Sequence, residues 1–145
     1  MPHVPPPLIG LAAGVVQRRL SSGSRPGVLR RTSAAAVAAA SVWMLAGSAE
    51  RFRSAGTTVN PLDPGRATGL VTAGPNRVTR NPMYVGMAGL LLAHGLLRGG
   101  WRTVLPVAAF VGVIDRWQVR PEEAALRELF GSEYDAYSGR VRRWL

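Results

Sequence analysis

Apolar residues in this chain gather into four windows, with the arginines between or beside them, and that segregation restricts the possible folds more than any other feature. The chain-wide hydrophobic fraction of 47% is ordinary for a soluble protein, so the average conceals the pattern. The windows are residues 8–16, 33–49, 82–97 and 103–114. The second is 17 residues without a charge, at the lower limit for a helix that crosses a bilayer. Its alanine content also suits a buried helix of a soluble protein. The last two are shorter still, and span only if flanking arginines snorkel or the bilayer thins. In the first, Gly10 and Gly14 form a small-xxx-small pair of the kind that lets membrane helices approach closely. The expected architecture is all-α: one integral membrane domain over 1–145, a helical bundle of about four membrane helices plus a C-terminal amphipathic helix.

Charge points the same way. The chain carries 18 basic and 8 acidic residues, net +10, and every basic residue is arginine. Such an excess suits nucleic acid or an anionic membrane surface. Basic residues interleaved with aromatics on a groove-binding module are not visible, so no nucleic-acid partner is expected. With no cysteine, thiol nucleophiles, disulfides and cysteine metal sites are excluded, and His3 and His94 lack ligand spacing. No metal is expected. The start of the chain, with Pro5-Pro6-Pro7 before Leu8, lacks the basic opening of a secretory signal. With four spans, one side holds eleven arginines (Arg51, Arg53, Arg66, Arg77, Arg80, Arg116, Arg120, Arg127, Arg140, Arg142 and Arg143) and the other seven. The bias places the first side, with the polar clusters below, in the cytoplasm of a multi-pass protein of the cytoplasmic membrane.

Between windows two and three lies a long polar connection broken by Asn60-Pro61, Asp63-Pro64-Gly65 and Ala73-Gly74-Pro75. It ends in Gly74-Pro75-Asn76-Arg77-Val78-Thr79-Arg80-Asn81-Pro82-Met83-Tyr84-Val85-Gly86, which crowds turn formers, two arginines and a tyrosine against an apolar helix. Asn81 reads as an N-cap and Pro82 as the first helical residue. The same residues also set backbone N–H groups and two cations at a helix start, suited to a carboxylate. A second cluster, Pro121-Glu122-Glu123, opens an amphipathic helix over 121–137 that breaks near Gly131. Its glutamates either favour the helix dipole or serve a cationic ligand or proton transfer. Adjacent helical positions point roughly 100° apart, so the two take different partners. Asp115 and Arg116 read as helix-end charges, and His94 as a packed or interfacial histidine.

Taken together, Thr72-Ala73-Gly74-Pro75-Asn76-Arg77 running into Arg80-Asn81-Pro82-Met83-Tyr84-Val85-Gly86 resembles the isoprenylcysteine carboxyl methyltransferase and phospholipid methyltransferase superfamily, in its small bacterial branch. So do Pro121-Glu122-Glu123-Ala124-Ala125-Leu126, Phe130-Gly131, Tyr134, Tyr137 and Val141-Arg142-Arg143-Trp144. The resemblance begins at Gly56-Thr57-Thr58-Val59-Asn60-Pro61, which makes 1–55 a pair of N-terminal helices and 56–145 a methyltransferase-like core. It implies a membrane enzyme that moves a methyl group from S-adenosyl-L-methionine to a lipophilic acceptor, either a carboxylate, as in isoprenylcysteine, or a lipid amine.

By the same resemblance, Arg77, Arg80, Asn81, Pro82, Tyr84, Gly86, Glu122 and Glu123 form the cofactor site. Glu123, Arg116 and Arg120 carry catalysis, with Glu123 the base for an amine acceptor. Asn81 stands where many members have His, which removes any titrating role there. Val119 stands where the carboxyl methyltransferases place an arginine, leaving Arg116 and Arg120 on either side. The alternative readings are a non-catalytic membrane helical protein or subunit, and a soluble basic bundle.

Overall fold

The computed structural model describes residues 4–56 and 68–145. His3, the Asn60-Pro61 and Asp63-Pro64-Gly65 breaks, Arg66 and the Gly56-to-Pro61 start of the resemblance lie wholly or largely outside the described residues. The described chain is helical and contains no strand. Helices α1 (Pro6–Leu20), α2 (Val28–Ser54), α3 (Pro82–Arg98) and α4 (Val104–Ile114) contain the four apolar windows, and α5 (Arg120–Arg140) follows.

Each boundary has a local cause. Pro82 opens α3, where its missing N–H breaks no bond, and Asn81 holds the cap position. Asn81 makes no side-chain capping bond, however; its amide is engaged elsewhere. At the other end α3 stops at Gly99 and Gly100, with φ of 74° and 91°, values that favour glycine. The expected break between window four and the amphipathic helix is absent. A π-helical segment, Asp115–Val119, joins α4 to α5 without interruption. Pro121 cannot donate to the carbonyl four residues back, and a π bulge is one way a helix absorbs such a lost bond. Asp115 and Arg116 are therefore inside a continuous rod rather than at a helix end. The break at Gly131 is present, with φ 48° and ψ −121°, so α5 folds as two halves.

α3 is the centre of the bundle. On one side it meets α2 at glycines: a Cβ at Gly86 would lie 2.6 Å from Leu45 Cγ and 2.9 Å from Ser41 O, and one at Gly89 would strike Ser41 Oγ. On the other, Tyr84, Leu91, Phe110, Ile114 and Val119 form a buried cluster with Ile9, Ala13 and Met87 packed against it. The Gly10 and Gly14 pair faces this cluster with ordinary room: a Cβ added there would lie 3.7 Å from Phe110 and 3.8 Å from Leu91. Gln17, fully buried, donates to Leu91 O at 2.9 Å and Thr103 O at 2.8 Å and meets His94 Nδ1 at 2.8 Å. Both its N–H groups are used, so Oε1 accepts and His94 carries its proton on Nδ1. His94 is thus a packed residue that ties α3 to α1.

Many large apolar side chains face outward, among them Leu8, Leu11, Val15, Val42, Trp43 and Trp117. So wide an exposed apolar surface marks a face for a membrane or another apolar partner. Among the described residues one helix, α2 with 27 residues, is by itself long and apolar enough to cross a membrane. α1, α3 and α4 have 15, 17 and 11 residues.

Gly86→Leu is expected to force α2 from α3, because the added Cβ meets backbone as well as side chain. A loss of about 2–3 kcal/mol follows from overpacking, readable as a lowered melting temperature in detergent. A variant that melts like the wild type would show that the helices do not meet there.

Candidate functional site

Where α3 begins, five parts of the chain converge: the start of α1, the end of α2, the segment 69–76, the start of α3 and the two halves of α5. They surround a cavity of about 220 Å³. Its walls are mostly apolar, including Pro6, Phe52, Val71, Met83, Met87 and Leu126. Its polar residues are Ser48, Asn76, Arg80, Asn81, Tyr84, Glu122, Glu123, Tyr134 and Tyr137.

The two glutamates have separate partners, as their angular offset on a helix requires. Glu123 accepts from Arg80 Nη2 at 2.8 Å and from Arg143 Nη2 and Nε at 2.7 and 3.0 Å. Burial pushes its carboxyl up, but the hydrogen bonds from Arg143 and Arg80 outweigh this, so it titrates below the usual carboxylate range. Glu122 accepts from Tyr84 OH and Gln118 Nε2, each at 2.7 Å, both on Oε1. Burial dominates there, with the charge of Glu123 adding to it, and its carboxyl is raised despite these hydrogen bonds. Two neighbouring carboxyls are thereby driven in opposite directions.

The tail is fastened to the start of α3. Arg80 N donates to Arg142 O at 2.8 Å, and Thr79 Oγ1 and Asn81 Nδ2 donate to Arg143 O at 2.8 and 3.1 Å. Asn81 therefore holds the tail rather than capping its own helix. Arg80 Nη1 donates to Ser138 O at 2.9 Å and Val141 O at 3.2 Å, spanning the end of α5. Trp144 Nε1 donates to Asp115 Oδ1 at 2.9 Å. That bond, with Arg120 and Arg143, holds the Asp115 carboxyl low against the opposing effect of burial. Tyr137, its phenol pushed up to about 12 by burial, stays protonated and donates to Asn76 O at 2.7 Å.

Four buried polar atoms on residues of this cavity have no hydrogen-bond partner among the described residues: Ser48 Oγ, Asn76 Oδ1, Arg80 Nε and Tyr134 OH. An unpaired buried group costs about 1–3 kcal/mol, so four on one cavity mark a place suited to a polar ligand. They include donors and acceptors.

Of the residues expected at the site, Arg80, Asn81, Pro82, Tyr84, Glu122 and Glu123 line the cavity, and Arg77, Gly86, Arg116 and Arg120 do not. Arg77 is exposed on the 3-10 turn Gly74–Arg77. Gly86 is spent on the α2 contact. Val119 is fully buried in the core, while Arg116 is exposed and Arg120, also exposed, pairs at 3.0 Å with Asp115. Ser48, Asn76, Tyr134 and Tyr137 were not among the expected site residues. Asn76 and both tyrosines lay within the resembling motifs and were open to assignment; nothing in the sequence marks Ser48.

The phospholipid methyltransferase family model matches residues 29–133. Over 63 residues the chain is 41% identical to an uncharacterized protein of Haemophilus influenzae, a match covering 43% of this chain and all of that relative. No solved structure matches.

Proposed function

The chain belongs to the phospholipid methyltransferase family, and from that premise we propose that it transfers a methyl group from S-adenosyl-L-methionine to a lipid-borne amine at the cavity beside the start of α3. The observation that carries this reading is the set of four unpartnered polar atoms on one otherwise apolar cavity. When bound, S-adenosyl-L-methionine supplies an electrophilic methyl group on a sulfonium centre. Asn76, Tyr134, Ser48 and Arg80 would hold its polar groups, since each has an atom in need of a partner. The apolar walls exclude water, which strengthens every polar contact inside.

The choice of acceptor rests on the two glutamates. A carboxylate acceptor needs a free cation for positioning. Arg116 and Arg120 lie off the cavity, while Arg80 and Arg143 are both held by Glu123. An amine acceptor needs a base instead. We assign that role to Glu122 and not to Glu123. Glu122 has a raised carboxyl and both hydrogen bonds on one oxygen, leaving Oε2 to take a proton. Glu123 is the electrostatic anchor that fixes Arg80 and the tail.

The outward apolar side chains support membrane association, and the arginine bias supports a multi-pass arrangement with the cavity toward the cytoplasm. α2 is long enough to span by itself, and the shorter α1, α3 and α4 would do so with snorkelling arginines at their ends.

Titrating the detergent-purified protein with S-adenosyl-L-methionine in a calorimeter is expected to give saturable heat, abolished in Asn76→Ala. Absence of heat in the wild type would remove the methyltransferase reading and favour a non-catalytic helical subunit.

A further inference from the structure

The end of the bundle opposite the cavity is charged differently from the rest. Segments 18–31 and 98–103 hold Arg18, Arg19, Arg25, Arg30, Arg31, Arg98 and Arg102, and not one acidic residue. The structure joins these segments: Ser22 N donates to Gly99 O at 3.0 Å, and Arg30 Nε donates to Leu96 O at 2.9 Å. Between them lies a second cavity, about 240 Å³, lined by Arg30, Gly99, Gly100, Trp101, Thr103 and Val104 among others. Arg30 is fixed at its wall, with Nη1 on Ser24 Oγ at 3.1 Å and Nη2 on Leu97 O at 3.3 Å. A guanidinium has five N–H groups, so two remain for a ligand. At the same end but outside that lining, Arg98 Nε is buried with no hydrogen-bond partner among the described residues.

We propose that this end binds the phosphate of an anionic phospholipid headgroup, held as a resident lipid and not as substrate. The inference rests on the membrane association read above, but not on the methyl-transfer chemistry. Charge complementarity argues for an anion, since none of these seven cations pairs with a carboxylate among the described residues. The surroundings argue for a lipid. Val28, Leu29 and Trp101 are 77%, 79% and 73% exposed at the level of the arginines, and Arg102 lies 5.8 Å over the Trp101 ring. An indole beside cations is the side-chain chemistry of the headgroup region. The α3 helix, 17 residues long, separates this end from the methyl-transfer cavity by about 25 Å at 1.5 Å per residue. A lipid held here therefore occupies the other leaflet and is out of reach of Glu122.

The test is native mass spectrometry of the full chain in detergent, titrated with phosphatidylglycerol or phosphatidylcholine of identical acyl chains. The wild type is expected to retain phosphatidylglycerol preferentially. Arg98→Gln with Arg102→Gln should reduce that retention roughly tenfold or more, since each interfacial cation contributes several-fold. Arg25→Gln with Arg31→Gln, at exposed positions, supplies a second pair should the first fold poorly. Arg127→Gln, at the opposite end, should change nothing. Equal retention of the two lipids, or undiminished retention in both pair variants, would overturn the proposal. So would displacement of the lipid by equimolar inorganic phosphate, the mark of a free-anion site. None of these outcomes depends on S-adenosyl-L-methionine binding, so this proposal and the methyltransferase reading fail separately.

Discussion

Glu123→Gln is expected to lower the stability of the folded protein by about 3 kcal/mol at neutral pH, at the low end for removing one partner of a buried ion pair. The carboxylate joins Arg80 to Arg143, and its side chain is only 10% exposed. Glutamine would leave Arg80 without an anion and Arg143 with only its 3.5 Å contact to Asp115, and Arg80 cannot swing away because Ser138 and Val141 hold it. The low end of the range applies because Arg143 is 34% exposed and keeps some solvation. The pH dependence has a definite sign. The folded carboxyl titrates below its unfolded value of about 4.3, so its contribution is fully present above that value. It is lost as pH falls through the lower folded value. Denaturation of the two proteins in detergent should therefore show a constant gap from pH 8 to about 5 that closes in acid. Equal stability at pH 7 would mean that the tail is not anchored through Glu123.

How much of this was legible in the sequence depends on how local each cause is. Pro82 after Asn81, the paired glycines after Arg98 and the break at Gly131 act within a few residues, and the chain shows them plainly. The pairing of the run around Arg80 with Glu122 and Glu123 was legible through the family motif, which records a contact that spacing alone cannot. What lay hidden depends on helix phase and crossing. Gly86 sits in the motif, and a glycine there is equally consistent with a close ligand or a close helix; only the position of Ser41 decides. Arg116 and Arg120 flank the position where the motif expects an arginine, yet both are exposed in the folded chain. With Val119 pointing into the core, they could not both reach the cavity. The unpartnered hydroxyl of Ser48 is one of several serines on an alanine-rich helix, and becomes distinctive only when α2 is laid against α3. The π segment left no signal beyond Pro121, which more often marks a helix start. The four-span expectation rested on window lengths; the structure lengthens the first to 15 residues and the second to 27, and among the described residues only α2 becomes long and apolar enough to cross.

Glu122→Gln is expected to reduce methyl transfer to an amine lipid by about 10²–10⁴-fold, the range for removing a general base, while the folded protein loses no stability. Glutamine keeps an oxygen to accept from Tyr84 and Gln118, so the local hydrogen bonds survive. The sign of the linkage is opposite to that of Glu123. A carboxyl raised by burial stabilises the fold in its protonated form, a contribution present below the unfolded value and lost as pH rises through the folded one. At neutral pH the charged side chain is therefore a cost that glutamine does not bear. Activity runs the other way, because only the ionised carboxylate accepts a proton. Turnover of the wild type should rise with pH across a midpoint above the usual carboxylate range, and that limb should be missing in the variant. Transfer of labelled methyl to phosphatidylethanolamine across pH measures both, with a prenylated carboxylic acid as the rival acceptor. Wild-type turnover in the variant would refute the assignment of Glu122. Transfer to the carboxylic acid alone would instead overturn the amine and leave the methyltransferase standing, since a carboxylate needs no base and the cation it requires would have to come from the pair now held by Glu123.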